Sequence, residues 1–299
     1  MTAQLAPEAP GAGALVQPVA ATGWRLAVRR FRHNTLAVVG LVVIVVVVLF
    51  CFVGPFLYPT DQTHTLLEQA NQGPSGAHPL GTDAVGHDVL GRLMYGGTVS
   101  LMVGIAAGVL ATVVGTLWGS VAGYAGGWVD AVMMRVVDAG IAIPALFILL
   151  VISAITTPGV AGLIVILGLV SWLVPSRLIR AETLTLKNRD YVLTLRAIGG
   201  SHARAIGKHL LPNSVSTIVV AATFQVADAI LLVAYVSYLG LGVQAPATDW
   251  GGMLSAGLTA AYSGRWWLIV PPGLAVILVV CAFNAVGDGL RDAFDVRGR

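Results

Sequence analysis

Apolar runs and polar interruptions alternate along this chain at a spacing that predicts membrane-crossing helices. Residues 35–56, 98–122, 131–155, 160–179, 214–236 and 267–288 are long apolar stretches. A helix needs roughly 20 such residues to cross a bilayer. Pro144 is expected to bend the third stretch and Pro175 the fourth. The expected fold is all-α, a polytopic membrane protein of six transmembrane helices, with the transmembrane domain over 34–290. Residues 1–33 and 291–299 are read as tails. The first is expected to be disordered over 1–22, where Ala, Pro, Gly and Gln dominate without periodicity. Arg25, Arg29, Arg30 and Arg32 flank the first apolar run. That run is too long for the core of a signal peptide and no small-residue cleavage site follows, so it is read as an uncleaved span.

The most basic interruption is 177–213, RLIRAETLTLKNRDYVLTLRAIGGSHARAIGKHLLPN. It holds seven of the seventeen Lys and Arg: Arg177, Arg180, Lys187, Arg189, Arg196, Arg204 and Lys208. Residues 191–198 have few helix breakers and Gly199-Gly200 predicts a turn. Ser201 can cap a second helix carrying Ala203, Ile206 and Leu210 on one face, and Pro212 is expected to stop it. Two short helices joined at a glycine pair and held off the membrane would suit docking to another protein.

Composition agrees with a membrane location. The 299 residues are 57% hydrophobic and 10% charged, too apolar for a soluble domain. Cys51 and Cys281 lie inside apolar runs and are read as small core residues. The interruption 57–97 carries Asp61, Glu68, Asp83 and Asp88 against a single base, Arg92. With six spans, Arg92 and Arg265 fall outside and the other fifteen Lys and Arg inside, the asymmetry expected when basic loops stay cytoplasmic. Trp250, Trp266 and Trp267 suit the outer interface. Gly104 and Gly108, then Gly115, Gly119 and Gly123, recur four apart, a helix-packing signal.

Several stretches resemble one family. YVLTLRAIGGSHARAIGKHLLPN is similar to the cytoplasmic coupling ("EAA") loop of ABC-importer permeases in its dipeptide/oligopeptide form, with Leu193-Thr194-Leu195 in place of Glu-Ala-Ala. HPLGTDAVGHDVLGRLMYGGTVSL matches that family's outer segment, with His87 and Thr98 where Arg is usual. SYLGLGVQAPATDWGGML and AFNAVGDGLRDAFDVR match its later blocks. The resemblance implies the type I permease fold with a coupling loop over 180–213, and a second-permease ("C") subunit of a peptide importer in a bacterial inner membrane, both termini cytoplasmic. It implies as partners a second permease, two ATPase subunits or one fused, and an extracytoplasmic peptide-binding protein. Membrane lipid is the remaining contact and no nucleic acid is expected. ATP and Mg would be used by the ATPases; no cofactor or metal is expected on this chain. The coupling contact would centre on Ala197, Ile198, Ala203 and Ile206, rimmed by Arg196, Arg204 and His209 and framed by Tyr191, Gly199, Ser201 and Pro212.

No catalytic constellation is visible. The Gly207-Lys208 pair lacks the glycine and hydroxyl positions of a phosphate-binding loop, and there is no Gly-x-Ser-x-Gly or His-Glu-x-x-His. His78, Asp83, His87 and Asp88 could suggest a metal site, but a turn-rich loop satisfied by its own side chains is the simpler reading. Ionisable groups inside spans are costly and point to function. Asp138, Asp228 and Asn284 are candidates for the translocation path or gate. Asp138 has Arg135 as a structural partner at i,i+3, and Asp288 has Arg291. Asp228 has none in its helix and could line a path or bond a neighbouring helix. A nickel or other small-solute importer and a secondary transporter remain as alternative readings.

Overall fold

The computed structural model of the chain describes residues 20–294, except the side chains of residues 20–24, 196 and 261. Among the described residues the structure is helical, and extended pairing is confined to one Thr82–Asp88 bridge. In chain order the main helices are α1 (Ala20–His33), α2 (Thr35–Phe52), α3 (Val89–Ala125), α4 (Gly127–Ile141), α5 (Ala145–Thr156), α6 (Val160–Ser171), α7 (Leu173–Leu186), α8 (Asp190–Ala197), α9 (Val215–Tyr238), α10 (Trp250–Leu258) and α11 (Val270–Phe294). By length and composition α2, α3, α9 and the segment Trp266–Phe294 containing α11 can each cross a membrane. The pairs α4–α5 and α6–α7 pass the same test as spans bent by 75° and 45°.

Several boundaries differ from those expected, each for a local reason. The first tail contains α1, a helix whose Ala27 is buried and which packs on α11; residues 1–19 lie outside the described residues. The second apolar stretch, expected at 98–122, belongs to the longer α3. Its first turns look polar in sequence, yet Gly91, Leu93, Met94, Gly96 and Gly97 are buried. Asp88 caps α3, its Oδ1 accepting from the Gly91 N–H at 2.8 Å. Pro144 does not bend a continuous span. It stands at the N-terminal cap of α5, after a break that ends α4. The bend of the fourth stretch falls at Trp172 rather than Pro175, which occupies the first turn of α7, where a missing N–H costs no hydrogen bond. At the far end α11 continues through residues read as tail to Phe294.

The long α3 is the central post, packed against α9 and α7. Its glycine series works as close-approach points. Gly104 and Gly108 face Ile230 and Val226 of α9, and Gly115, Gly119 and Gly123 face α7. At Gly119 an added Cβ would lie 2.3 Å from the Ser176 carbonyl oxygen, so the two backbones touch only because no side chain intervenes.

The end of the bundle carrying the acidic interruption is tied together by buried polar groups. Trp250 is fully buried, not interfacial. Its indole N–H donates to the Leu93 carbonyl at 2.9 Å and its backbone N–H to the Ser100 hydroxyl at 3.1 Å. Asp249 caps α10 through the Gly252 N–H at 3.0 Å and accepts from the Ser237 hydroxyl at 2.8 Å. Burial pushes its carboxyl above the ordinary range against the pull of those donors. Asp88 also receives the Tyr58 hydroxyl at 3.0 Å and contacts His78 Nδ1 at 2.9 Å. The Trp267 indole donates to the Thr82 carbonyl at 3.3 Å. Asp83 faces Arg92 at 3.4 Å and His87 at 3.3 Å, and Arg92 also reaches His87. Cys51 is buried in this core, but Cys281 is exposed on α11 and is not a core residue.

Candidate functional site

At the opposite, basic end, residues 187–213 form a compact knob on the tips of α3 and α7. Its first half is α8. The helix ends because Gly199 adopts φ +79°, the left-handed conformation that suits glycine, and the Gly200 N–H turns back to the Leu195 carbonyl at 2.8 Å. The Ser201 hydroxyl accepts from the Arg204 N–H at 3.3 Å and starts the second half, as expected. That half is α-helical only over His202–Arg204; Ala205–Leu210 is a π-helical turn and Leu211–Asn213 a further short helix. Pro212 therefore does not end the helix at the expected place. The wider π turn leaves room for the pyrrolidine ring, whose clash with the carbonyl of residue i−4 would otherwise break the helix. The break before α9 comes at Ser214. The Asn213 side-chain amide takes up the His209 carbonyl at 2.5 Å.

The knob has a small core of its own. Val192, Ala205 and Leu210 are buried against Tyr124 at the end of α3, with Leu186, Leu195 and Ile206 packed around them. Tyr124 meets the His202 ring edge-on at 5.3 Å, and Tyr191 lies 6.2 Å from the His209 ring. Lys187 Nζ donates to the Gly123 carbonyl at 2.8 Å. Below the knob, Arg180 binds Asp130 with two hydrogen bonds, at 2.5 and 2.6 Å, tying α7 to α4. Residues 180–213 are thus attached at several points to the helices beneath them.

The outward face is apolar. Ile198 is 76% exposed, Leu193 46% and Tyr191 41%, and Ala197, Gly199, Ser201, Ala203, Arg204 and Pro212 are exposed beside them. An added Cβ at Gly199 would meet nothing within 4 Å. Two residues expected at the coupling contact are placed otherwise: Ile206 and His209 are half-buried within the knob itself. Arg196 lies in α8, its side chain outside the described residues. Leu193, which replaces part of the family triplet, is not among the residues the resemblance points to; its exposure puts it on the outward face.

The three path candidates do not converge. Asp138 pairs with Arg177 of α7 at 2.5 Å, not with Arg135. This bond between helices needed the fold to reveal it, since the two residues are far apart in sequence. Asn284 is half-buried on α11, and Asp288 makes no ion pair with Arg291 among the described residues. Asp228 alone lines a cavity, of about 360 Å³, between the α4–α5 break, the α6–α7 break and α9. Sequence reasoning also missed the Arg180–Asp130 pair, for the same reason of sequence distance. Among the described residues no three His, Cys, Asp or Glu side chains gather as a metal-binding group.

Comparison with known proteins agrees with this architecture. A family model described as the binding-protein-dependent transport system inner membrane component matches residues 115–299. A second, the N-terminal TM domain of oligopeptide transport permease C, matches residues 22–74. The dipeptide transport system permease protein DppC of Bacillus subtilis is 38% identical over 91% of this chain and 85% of its own length. A putative peptide permease protein of Brucella suis is 42% identical over 90% of this chain and 89% of its own. The oligopeptide transport system permease protein OppC of Escherichia coli is 40% identical over 92% of each.

Proposed function

The chain belongs to the binding-protein-dependent transport system inner membrane components, and from that premise we propose that it is one of two permease subunits of an ATP-driven importer for di- or oligopeptides. The peptide assignment is supported by relatives named as dipeptide and oligopeptide permeases along nearly the whole chain. In this reading the basic end lies in the cytoplasm with both termini, following the excess of Lys and Arg there. A second permease completes the path across a bacterial inner membrane. Two ATPase subunits, or one fused, use ATP and Mg, and an extracytoplasmic peptide-binding protein delivers substrate to the acidic end. This chain binds no cofactor and supplies no reacting group.

The single observation that carries the reading is the knob, a folded unit with its own core and an apolar outer face. Docked in a groove of the ATPase, Ile198, Leu193, Ala197 and Ala203 would be shielded from water, with Arg196 and Arg204 at the rim and Tyr191, Ser201, His209 and Pro212 holding the shape. Ile206 supports from inside. Closure of the ATPase pair around its nucleotide pulls on the knob. The Lys187–Gly123 bond, the Arg180–Asp130 pair and the Tyr124 contact pass that displacement to α3, α4 and α7. The path then alternates between the binding protein and the cytoplasm.

The test is Gly199→Asp in the complete reconstituted importer. The substitution places a charged side chain at a left-handed position in the middle of the docking face. Peptide uptake should fall to background while the permease still reaches the membrane. Normal peptide-stimulated ATP turnover in that variant would refute docking through the knob. Uptake of nickel in place of peptides by the unaltered complex would overturn the substrate assignment.

A further inference from the structure

Asp228 stands just past the middle of α9, an otherwise strongly apolar helix. It is exposed, and no described residue forms an ion pair with it. A carboxylate at this depth is not tolerated against hydrocarbon and belongs beside water or a partner. The cavity it lines is where two spans break together. Backbone freed from helical bonding at membrane depth is stable only inside protein or along a water-filled space. Two helix C-termini, those of α4 and α6, open on the cavity together with the N-termini of α5 and α7, so their opposed dipoles offset one another. Asp228 is the sole charged residue among those lining it. Its carboxylate therefore sets the sign of the cavity. Ser171, Gln225 and Tyr235 add uncharged polar groups, and the remaining walls are apolar, from Ile141, Leu173, Leu231 and their neighbours.

That combination suits one kind of occupant: an ammonium group on an apolar or amide body. We propose that Asp228 is a specificity-determining residue of the solute path, holding the basic side chain of a peptide in transit. The inference rests on the peptide-permease reading above. It assigns to this chain a charge filter separate from the binding protein, acting after delivery. Peptides with a Lys residue are favoured, and acidic peptides are disfavoured by the same carboxylate.

The experiment uses the complete importer in liposomes, with unaltered, Asp228→Asn and Asp228→Glu permeases. Three peptides of equal length are compared, one with Lys, one uncharged in its side chains and one with Glu, chosen for equal affinity to the binding protein. The Asn variant should lower uptake of the Lys peptide relative to the Glu peptide about tenfold, the scale expected when one charge-assisted hydrogen bond is removed. The Glu variant should keep most of the preference. An unaltered preference in the Asn variant, or an equal fall for all three peptides, removes the inference and leaves the importer reading standing. An unaltered complex that moves no peptide removes the importer reading, and this inference with it.

Discussion

At the acidic end Trp250 is fully buried with its indole N–H satisfied, and Asp249, 1% exposed, accepts from both a helix N-terminus and a serine hydroxyl. At the basic end Ile198 is 76% exposed and an added Cβ at Gly199 would meet nothing within 4 Å. Both ends carry sequence blocks that resemble the same family, yet they solve different problems. The acidic end pairs most of its buried polar groups with one another, the buried His87 Nε2 being an exception, so its motif residues are fixed chiefly by folding. The basic end folds around a small core and leaves its apolar side chains without cover. A motif whose groups are mostly paired within the fold reports on stability, and one with unmet apolar surface reports on a partner.

The contrast predicts a graded set of effects, the largest at the acidic end. Trp250→Ala should cost about 3–5 kcal/mol, the usual range for emptying an aromatic core site. It also removes the indole donor that reaches the Leu93 carbonyl, which keeps its place in the helical ladder of α3. Thermal unfolding in detergent and the yield of folded protein measure it. Trp250→Phe keeps most of the volume and loses only the N–H, so it should cost about 1–2 kcal/mol. If both variants were as stable as the unaltered protein, the acidic end would not be the self-satisfied region described.

An intermediate effect belongs to the joint between the knob and the bundle. Arg180 is 33% exposed and Asp130 13%, with two short hydrogen bonds between them. Arg180→Ala should cost about 1–3 kcal/mol, between the values for surface and buried pairs. Much of that cost comes from leaving Asp130 without its partner. The double variant Arg180→Ala, Asp130→Ala should therefore be more stable than Arg180→Ala alone. A double-mutant cycle with no coupling energy would place the rigid joint elsewhere.

The architecture was largely legible in the sequence because lipid forces apolar residues into runs of recognisable length. Those runs mark the number of spans, and the glycine intervals mark where α3 is approached. The parts that stay hidden share one cause: they depend on contacts distant in sequence. Residues 89–97 look like loop, but neighbours from 249–253 bury them and extend α3 outward. Trp250 looks interfacial by residue type, and only the packing of α10 against α3 makes it core. Asp138 has Arg135 beside it on the same helix, whereas the fold brings Arg177 to it from another. Within the knob, Gly199 and Ser201 are readable from local backbone chemistry. The inward turn of Ile206 is not, because it depends on Tyr124 at the tip of another helix.

The smallest effect on stability, and the sharpest test of the contrast, is at Ile198. The side chain is mostly in water, so Ile198→Ala should change thermal stability by no more than about 0.5 kcal/mol. If the knob docks through this face, the same substitution removes apolar area from the interface. Burial of a whole isoleucine side chain contributes about 1.5–3 kcal/mol, so association with the ATPase subunits should weaken roughly tenfold. Titration of ATPase into the purified permease pair, with thermal unfolding in parallel, separates the two quantities. Ile206→Ala is the control within the same knob. Its side chain packs on Val192, Ala205 and Leu210, so stability should fall together with association. A fall in stability with association unchanged at Ile198 would reverse the roles assigned to the two ends, because that residue would then belong to the fold and the partner would have to grip elsewhere.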